Sequence, residues 1–533
     1  MTSNARYLKR NITIEPLYNQ WYAWWYLIPP STAPMFVTHL HLKVMQSFVQ
    51  SPEIHVAALK DPALRGGPYL NYGVEQAAEV KLLLDRTQKE QASLLQFARA
   101  VADLEKLLAG CPPAMSLESL YPQVPDMLRG YVELTYDLNH RPAFRFIEQL
   151  LYRSPIYRES SQSIAFRLLT EDARPFVYST PRLDSDPGTV HLHIPFRHEA
   201  LDALFAMREK PAPVEPVMEA LGVRGPVAER FASFFTDEPP RPRSRYEGPG
   251  VRLRYFGHAC VLLETRQVSI LTDPVFGYDT NADVPRFTDA DLPERLDYVL
   301  ITHGHADHLI LESLIPLRRR IGTIVVPRSN SGVLVDPSLK LLLKNIGFKN
   351  VVEIDELEEL DVPGGSITGL PFLGEHGDLN IRAKTAHLVR LQGRTMLMAA
   401  DSNAIEPRLY EHVQRAVGDI DALFLGMESE GAPMSWIYGP LLTTPLPRKA
   451  DQSRRLNGSN ADRAIEIVNR LHPKQVYVYA MGREPWMGHI MSMGYTETSP
   501  QLIEARKLLA HCQTQGIQAE MPFIRGEFLL PAL

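Results

Sequence analysis

The hydrophobic pattern changes character part-way along the chain. Beyond residue 250, short β-rich apolar runs alternate with amphipathic stretches. The runs Val251–Phe256, Cys260–Glu264, Ser269–Thr272, Tyr298–Thr302, Thr323–Pro327 and Val351–Ile354 predict strands. So do Ser366–Leu370, Ala386–Leu391, Thr395–Ala400, Ala422–Leu425 and Gln475–Tyr479. Apolar residues at helical spacing predict helices over Ile310–Arg320, Val333–Ile346, Ala461–Leu471 and Pro500–Cys512. Several strands precede the first helix, and later ones alternate with helices. That order predicts an α/β domain of two mixed sheets with helices on their outer faces.

The earlier part of the chain is mixed. Gln76–Leu108 has a continuous helical stripe, and Phe176–Ser179 and His191–Pro195 read as strand-like. Strand alternation places His191 and His193 on one face and His198 on the other, so the three read as a polar strand face rather than a ligand set. Between the halves, 237–250 (DEPPRPRSRYEGPG) holds four prolines, three arginines and two glycines and keeps no periodicity. It reads as a linker. The expected division is an N-terminal α+β domain (1–236), a linker (237–250) and a catalytic domain (251–533).

Composition narrows the function classes. The chain has 533 residues, 45% hydrophobic and 22% charged, with a net charge of −6. Disorder, collagen and coiled coil are excluded as descriptions of the whole. The mild acidity argues against nucleic acid as a partner. Cys111, Cys260 and Cys512 are far apart, form no CxxC and suit a reducing compartment. Cys260 reads as inert core. The first residues carry no apolar signal core. The apolar stretch 17–39 is interrupted by Asn19, Gln20, Pro29, Pro30 and Pro34, so no membrane span is expected. A cytoplasmic protein is expected. The aromatic cluster Trp21, Tyr22, Trp24, Trp25 and Tyr26 reads as core or a dimer contact.

The densest chemistry lies in Thr302-His303-Gly304-His305-Ala306-Asp307-His308. It follows the apolar strand YVLIT and precedes a helix. Such a turn aims His303 and His305 at one metal and Asp307 and His308 at a second. So many polar ligand types are costly to bury without a metal. This HxHxDH run resembles the metallo-β-lactamase superfamily, whose fold is a four-layer αββα sandwich. Phe256–Glu264 resembles the opening hairpin, with His258 as packing or support for the site. Leu271-Thr272-Asp273-Pro274 resembles the loop whose aspartate orients a ligand histidine. Asp401 stands where that superfamily has a carboxylate bridging two metals, and His489 where it has its last ligand histidine.

The third ligand of the first metal has two candidates, the adjacent Glu375 and His376. His376 gives the common hydrolytic set. Glu375 gives two histidines plus a carboxylate, which favours redox-active iron over zinc and suits dioxygen activation.

A closer resemblance covers the whole chain. The HGHADH, GEHGD and AAD segments, the stretch 431–440 (GAPMSWIYGP), the late Gly-His and the large N-terminal region are similar to the CmlA-like diiron β-hydroxylase family of the chloramphenicol pathway. The resemblance implies a non-haem diiron monooxygenase with two iron ions, dioxygen and an external electron donor. His303, His305, Glu375 and Asp401 would hold one iron. Asp307, His308, Asp401 and His489 would hold the other. Glu375 and Asp401 would also serve catalysis. The implied substrate is an amino acid held as a thioester on a nonribosomal peptide synthetase carrier domain and hydroxylated at its β-carbon. Implied partners are that loaded carrier domain, a separate reductase (no flavin or nicotinamide motif is visible) and a second copy in a homodimer formed through the N-terminal domain. The alternative is a two-metal zinc hydrolase using His376; a scaffold that merely kept the fold is a third. The basic loop with Arg448, Lys449, Arg454 and Arg455 reads as solvated, with docking of an acidic carrier domain as its functional alternative.

Overall fold

The computed structural model describes residues 5–186, 188–243, 245–280 and 284–533. Two seven-stranded mixed sheets form the C-terminal part. The first runs, in spatial order, Val351–Ile354, Ile321–Pro327, Leu296–Leu300, Ser269–Thr272, Cys260–Glu264, Val251–Gly257 and Gly526–Leu530. The second runs Glu359–Val362, Gly365–Leu370, Ala386–Leu391, Arg394–Met398, Ala422–Gly426, Gln475–Tyr479 and Gln518–Glu520. Each sheet has an antiparallel part and a parallel part.

Strand alternation assigns the two faces. Val261, Leu263 and Ile270 pack against Ile367, Val389, Met396 and Phe424 to form the core between the sheets. Leu262, Leu271 and Ile324 point the other way, onto the helix Leu311–Leu317 and the N-terminal region. Leu388, Leu423 and Val476 face outward under Arg408–Val417, Ala461–Leu471 and Pro500–Thr514. This is the four-layer αββα sandwich, with an additional N-terminal domain.

That N-terminal part carries a four-stranded sheet, Trp21–Tyr22, Ile12–Tyr18, Gln162–Leu168 and Thr189–Leu192, and several helices. Its aromatic cluster is buried, and Trp21, Trp25, Tyr26 and Phe36 share one continuous core with the first sheet's outer face. Segment 237–250 has no helix or strand among its described residues (Ser244 lies outside them), yet Arg243 pins it to Glu209 and to the Asp289 carbonyl. Among the described residues no helix is long and apolar enough to cross a membrane.

Several expected elements are shifted for local reasons. The Gln76–Leu108 stripe is two helices, Ala77–Glu90 and Ala92–Ala109, because Gln91 leaves the helical region and turns its amide inward to Ser161. The strand expected to reach Thr302 ends at Leu300, and Asp273 takes the Thr302 N–H at 2.8 Å. Val333–Ile346 is helical only over Leu339–Asn345, started by the Ser338 cap. Phe176–Ser179 forms no strand; the Val177 N–H instead donates to the His489 carbonyl. His198 caps the helix Glu199–Ala206.

Candidate metal centre

The site lies where strands of both sheets end. Asp273 directly follows Ser269–Thr272, His303 lies three residues beyond Leu296–Leu300, and Asp401 lies three beyond Arg394–Met398. The backbone is bent hard here. Asp273, Glu375 and Ala400 all have positive φ, at 31°, 63° and 49°. Such non-glycine conformations are costly and gather at functional sites. Gly426 makes room: a Cβ there would meet Asp401 Oδ1.

Among the described residues, three groups bring ligand atoms within 4.8 Å of one another: His303, His305 and Glu375; His303, His308 and Asp401; and His258, Asp307 and His308. Glu375 lies 3.4 Å from both His303 Nε2 and His305 Nδ1. Asp401 Oδ2 lies 3.6 Å from His303 Nε2 and 2.9 Å from His308 Nε2, so it stands between the two halves.

The hydrogen bonds fix which ring nitrogens are available. His308 Nδ1 donates to Asp273 Oδ2 at 2.7 Å, which leaves the Nε2 lone pair facing Asp401 and Asp307. Thr302 Oγ1 donates to Asp273 and accepts from His303 Nδ1, which frees His303 Nε2. His305 Nε2 meets the Tyr438 hydroxyl at 2.9 Å, leaving Nδ1 for Glu375's side. Buried His303 Nε2, His308 Nε2, Glu375 Oε2 and Asp401 Oδ1 have no hydrogen-bond partner among the described residues. Four orphaned donor atoms converging in one buried space fit bound cations.

Electrostatics agree. Burial, then Asp401 and Asp307, push Glu375 well above the usual carboxylate range. Burial alone would depress His308, but Asp401, Asp307 and Asp273 raise it well above the usual imidazole range. Burial opposes ionisation of Asp307, yet His308 and His258 hold it low. These groups compete for protons that cations would replace.

Three histidines behave differently. His376, the alternative third ligand, stacks on His305 with ring centroids 4.5 Å apart, and its Nδ1 lies 3.1 Å from the Gly374 carbonyl. It joins none of the three groups. His258 Nδ1 accepts from the Gly482 N–H, so in the neutral ring Nε2 carries the proton, facing Asp307 Oδ2 at 3.0 Å. It orients Asp307. His489 is not brought to the cluster: Nδ1 donates to the Trp486 carbonyl at 2.7 Å and Nε2 accepts from Arg174 at 2.9 Å. Sequence reasoning did not find Glu428, whose carboxyl is pushed up by burial and then by Asp307 and Asp401. Its available signal was its place two residues past the strand Ala422–Gly426.

Residues 7–239 match the diiron non-heme beta-hydroxylase N-terminal domain, and residues 269–479 match the beta-lactamase superfamily domain. The chain is 41% identical over 527 residues to the 4-amino-L-phenylalanyl-[CmlP-peptidyl-carrier-protein] 3-hydroxylase of Streptomyces venezuelae, covering 97% of this chain and 98% of that one. The chain belongs to the CmlA-type diiron β-hydroxylases. The crystal structure of CmlA, a diiron beta-hydroxylase from Streptomyces venezuelae, superposes with a TM-score of 0.93 at 40% identity, over 99% of this chain and 100% of that one. A Glu-to-Asp variant of CmlA superposes with a TM-score of 0.90 at 41% identity, over 98% and 100% of the two chains. The protein is thus a non-haem diiron monooxygenase with two irons and dioxygen as its cofactors.

In this β-hydroxylase the N-terminal domain covers the turn that carries His303, His305, Asp307 and His308. Trp25 Nε1 donates to the Gly304 carbonyl, and a Cβ at Gly304 would lie 2.7 Å from the Trp25 ring. Tyr178 donates to the Ala306 carbonyl at 2.8 Å. A buried ion network joins the domains. Arg174 pairs with Glu15 of its own domain and with Glu312 of the sandwich, at 2.6 and 3.0 Å. Tyr22 and Tyr278 both donate to Glu312.

Proposed function

We propose that this β-hydroxylase acts on the β-carbon of an amino acid carried as a thioester on a peptidyl-carrier domain of a nonribosomal peptide synthetase. The substrate class rests on the name of the 41% identical relative. The ligand assignment rests on one observation: Glu375, rather than the adjacent His376, faces both His303 and His305.

In this reading His303 Nε2, His305 Nδ1 and Glu375 would hold one iron. His308 Nε2 and Asp307 would hold the other, and Asp401 would serve both. Bound irons supply redox activation of dioxygen, which zinc does not. The chain's own residues do the rest. Asp273 keeps the proton on His308 Nδ1 through a 2.7 Å bond, and Tyr438 takes the His305 Nε2–H. His258 steadies Asp307. Trp25 and Tyr178 close the turn, and His303 and His308 are fully buried, which keeps water from the reacting centre. Family membership supports electron supply by a separate reductase, a homodimer and a cytoplasmic location.

Glu375→His tests the reading. The variant loaded with two metals should lose hydroxylation of a 4-amino-L-phenylalanyl-carrier probe, read by mass spectrometry. Hydroxylation at the parent rate by that variant would overturn the role given to Glu375.

A further inference from the structure

The segment 448–458 is wedged between two loops of the metal centre. On one side Arg454 Nε donates to the Gly377 carbonyl at 2.7 Å, two residues beyond Glu375. On the other, the Gly458 N–H donates to the Glu428 carbonyl at 2.8 Å, and the Leu456 N–H donates to the Ala432 carbonyl. Its first turn is the short helix Arg448–Ser453. A cation cluster beside a buried, carboxylate-rich site calls for an explanation.

The segment's charge is uncompensated. It carries Arg448, Lys449, Arg454 and Arg455 against a single acid, Asp451. Asp451 is spent inward, accepting from the Ser435 N–H at 2.9 Å and the Ser435 hydroxyl at 2.7 Å. None of the four cations forms an ion pair among the described residues, and Arg448 and Lys449 are exposed. Most of the chain's arginines in the same domain do find carboxylates, as Arg394, Arg470 and Arg506 show. In a chain of net charge −6, an unpaired basic face is a local departure.

We infer that this face docks the carrier protein, with Arg448 and Lys449 meeting its acidic surface and the phosphodiester at the root of its phosphopantetheine arm. The inference rests on the proposed carrier-borne substrate and names the surface that receives it. A tethered amino acid reaches a buried centre only if the carrier seats at its rim, and the segment pinned to both the Glu375 and Glu428 loops lies at that rim. The arm always brings a fixed anion, and unpaired guanidinium and ammonium groups recognise it without first breaking an internal ion pair. Rim charges of this kind act on encounter and salt dependence.

The test uses the full-length, iron-loaded enzyme and a peptidyl-carrier protein loaded with 4-amino-L-phenylalanine as the probe. The Arg448→Glu/Lys449→Glu double variant should weaken carrier binding about tenfold at low salt and flatten its salt dependence. Its iron content, optical spectrum and kcat at saturating carrier should stay at the parent values. Arg448→Lys should keep binding near the parent. Equal affinity and equal salt slope in parent and double variant would overturn the docking face while leaving the carrier-borne substrate intact. A parent that neither binds nor hydroxylates the loaded carrier would overturn both.

Discussion

His489 and Arg174 occupy each other's polar atoms: Arg174 Nη1 lies 2.9 Å from His489 Nε2, and the other ring nitrogen is held by the Trp486 carbonyl. Burial, and then Arg174, keep this imidazole neutral, well below its usual pKa. A guanidinium thus stands where a ligand histidine would meet its cation. His489→Gln should therefore keep two irons per chain by elemental analysis, whereas His308→Gln should not. Loss of one iron from the His489 variant would return this residue to the ligand set. The variant should also lose about 1–3 kcal/mol of stability from the broken buried contacts.

Asp273 sets the proton position on His308 and anchors Thr302 by two bonds, at 2.8 and 2.6 Å. Asp273→Asn keeps the shape but presents a donor at one of these positions. Iron affinity, measured by chelator competition, should fall about 10–100-fold, the usual cost of losing such a support. Unchanged affinity would show that the tautomer is fixed elsewhere.

Gly304 has no room for a side chain beneath Trp25. Gly304→Ala should cost about 1–3 kcal/mol by overpacking, read as a lower unfolding midpoint. Adding Trp25→Leu should recover part of that loss. A Gly304→Ala variant as stable as the parent would mean the two domains separate more easily than their shared core suggests.

His41 is buried and stacked flat on Trp21, with ring centroids 3.9 Å apart, and burial pulls its pKa down to about 3. The unfolded chain binds this proton at its ordinary 6.5. Folding stability from the neutral ring is therefore complete above pH 6.5 and falls as the pH drops toward 3. Between pH 6.5 and 4.5 the loss amounts to about 2–3 kcal/mol at 1.36 kcal/mol per unit. His41→Phe should remove that part of the slope in denaturant titrations. An unchanged slope would place the titrating group elsewhere.

Much of the sandwich was legible because its strands are apolar on both faces and bounded by turns. Cys260–Glu264, Val351–Ile354 and Ala386–Leu391 have the expected limits. The edge strands Glu359–Val362 and Gln518–Glu520 were not, because they are short and largely exposed, so their sequences lack an apolar run. The helix Arg408–Val417 buries only Tyr410 and Val413, too thin a stripe to stand out. In the candidate site, dense local spacing pointed to His303, His305, Asp307 and His308, which the fold brings together with Glu375 and Asp401. The place of His489 depended on where a loop far beyond His308 turns, and the partner that holds it, Arg174, belongs to the other domain. No spacing rule reaches across 315 residues.

The cover that Trp25 and Tyr178 place over the Gly304 and Ala306 carbonyls has an evolutionary consequence. These contacts reach main-chain atoms, so they impose no particular side chain on the turn beyond a glycine beneath the indole. The side-chain requirement falls on the N-terminal domain instead, which must keep an indole at position 25 and a phenol at position 178 to hold these two carbonyls.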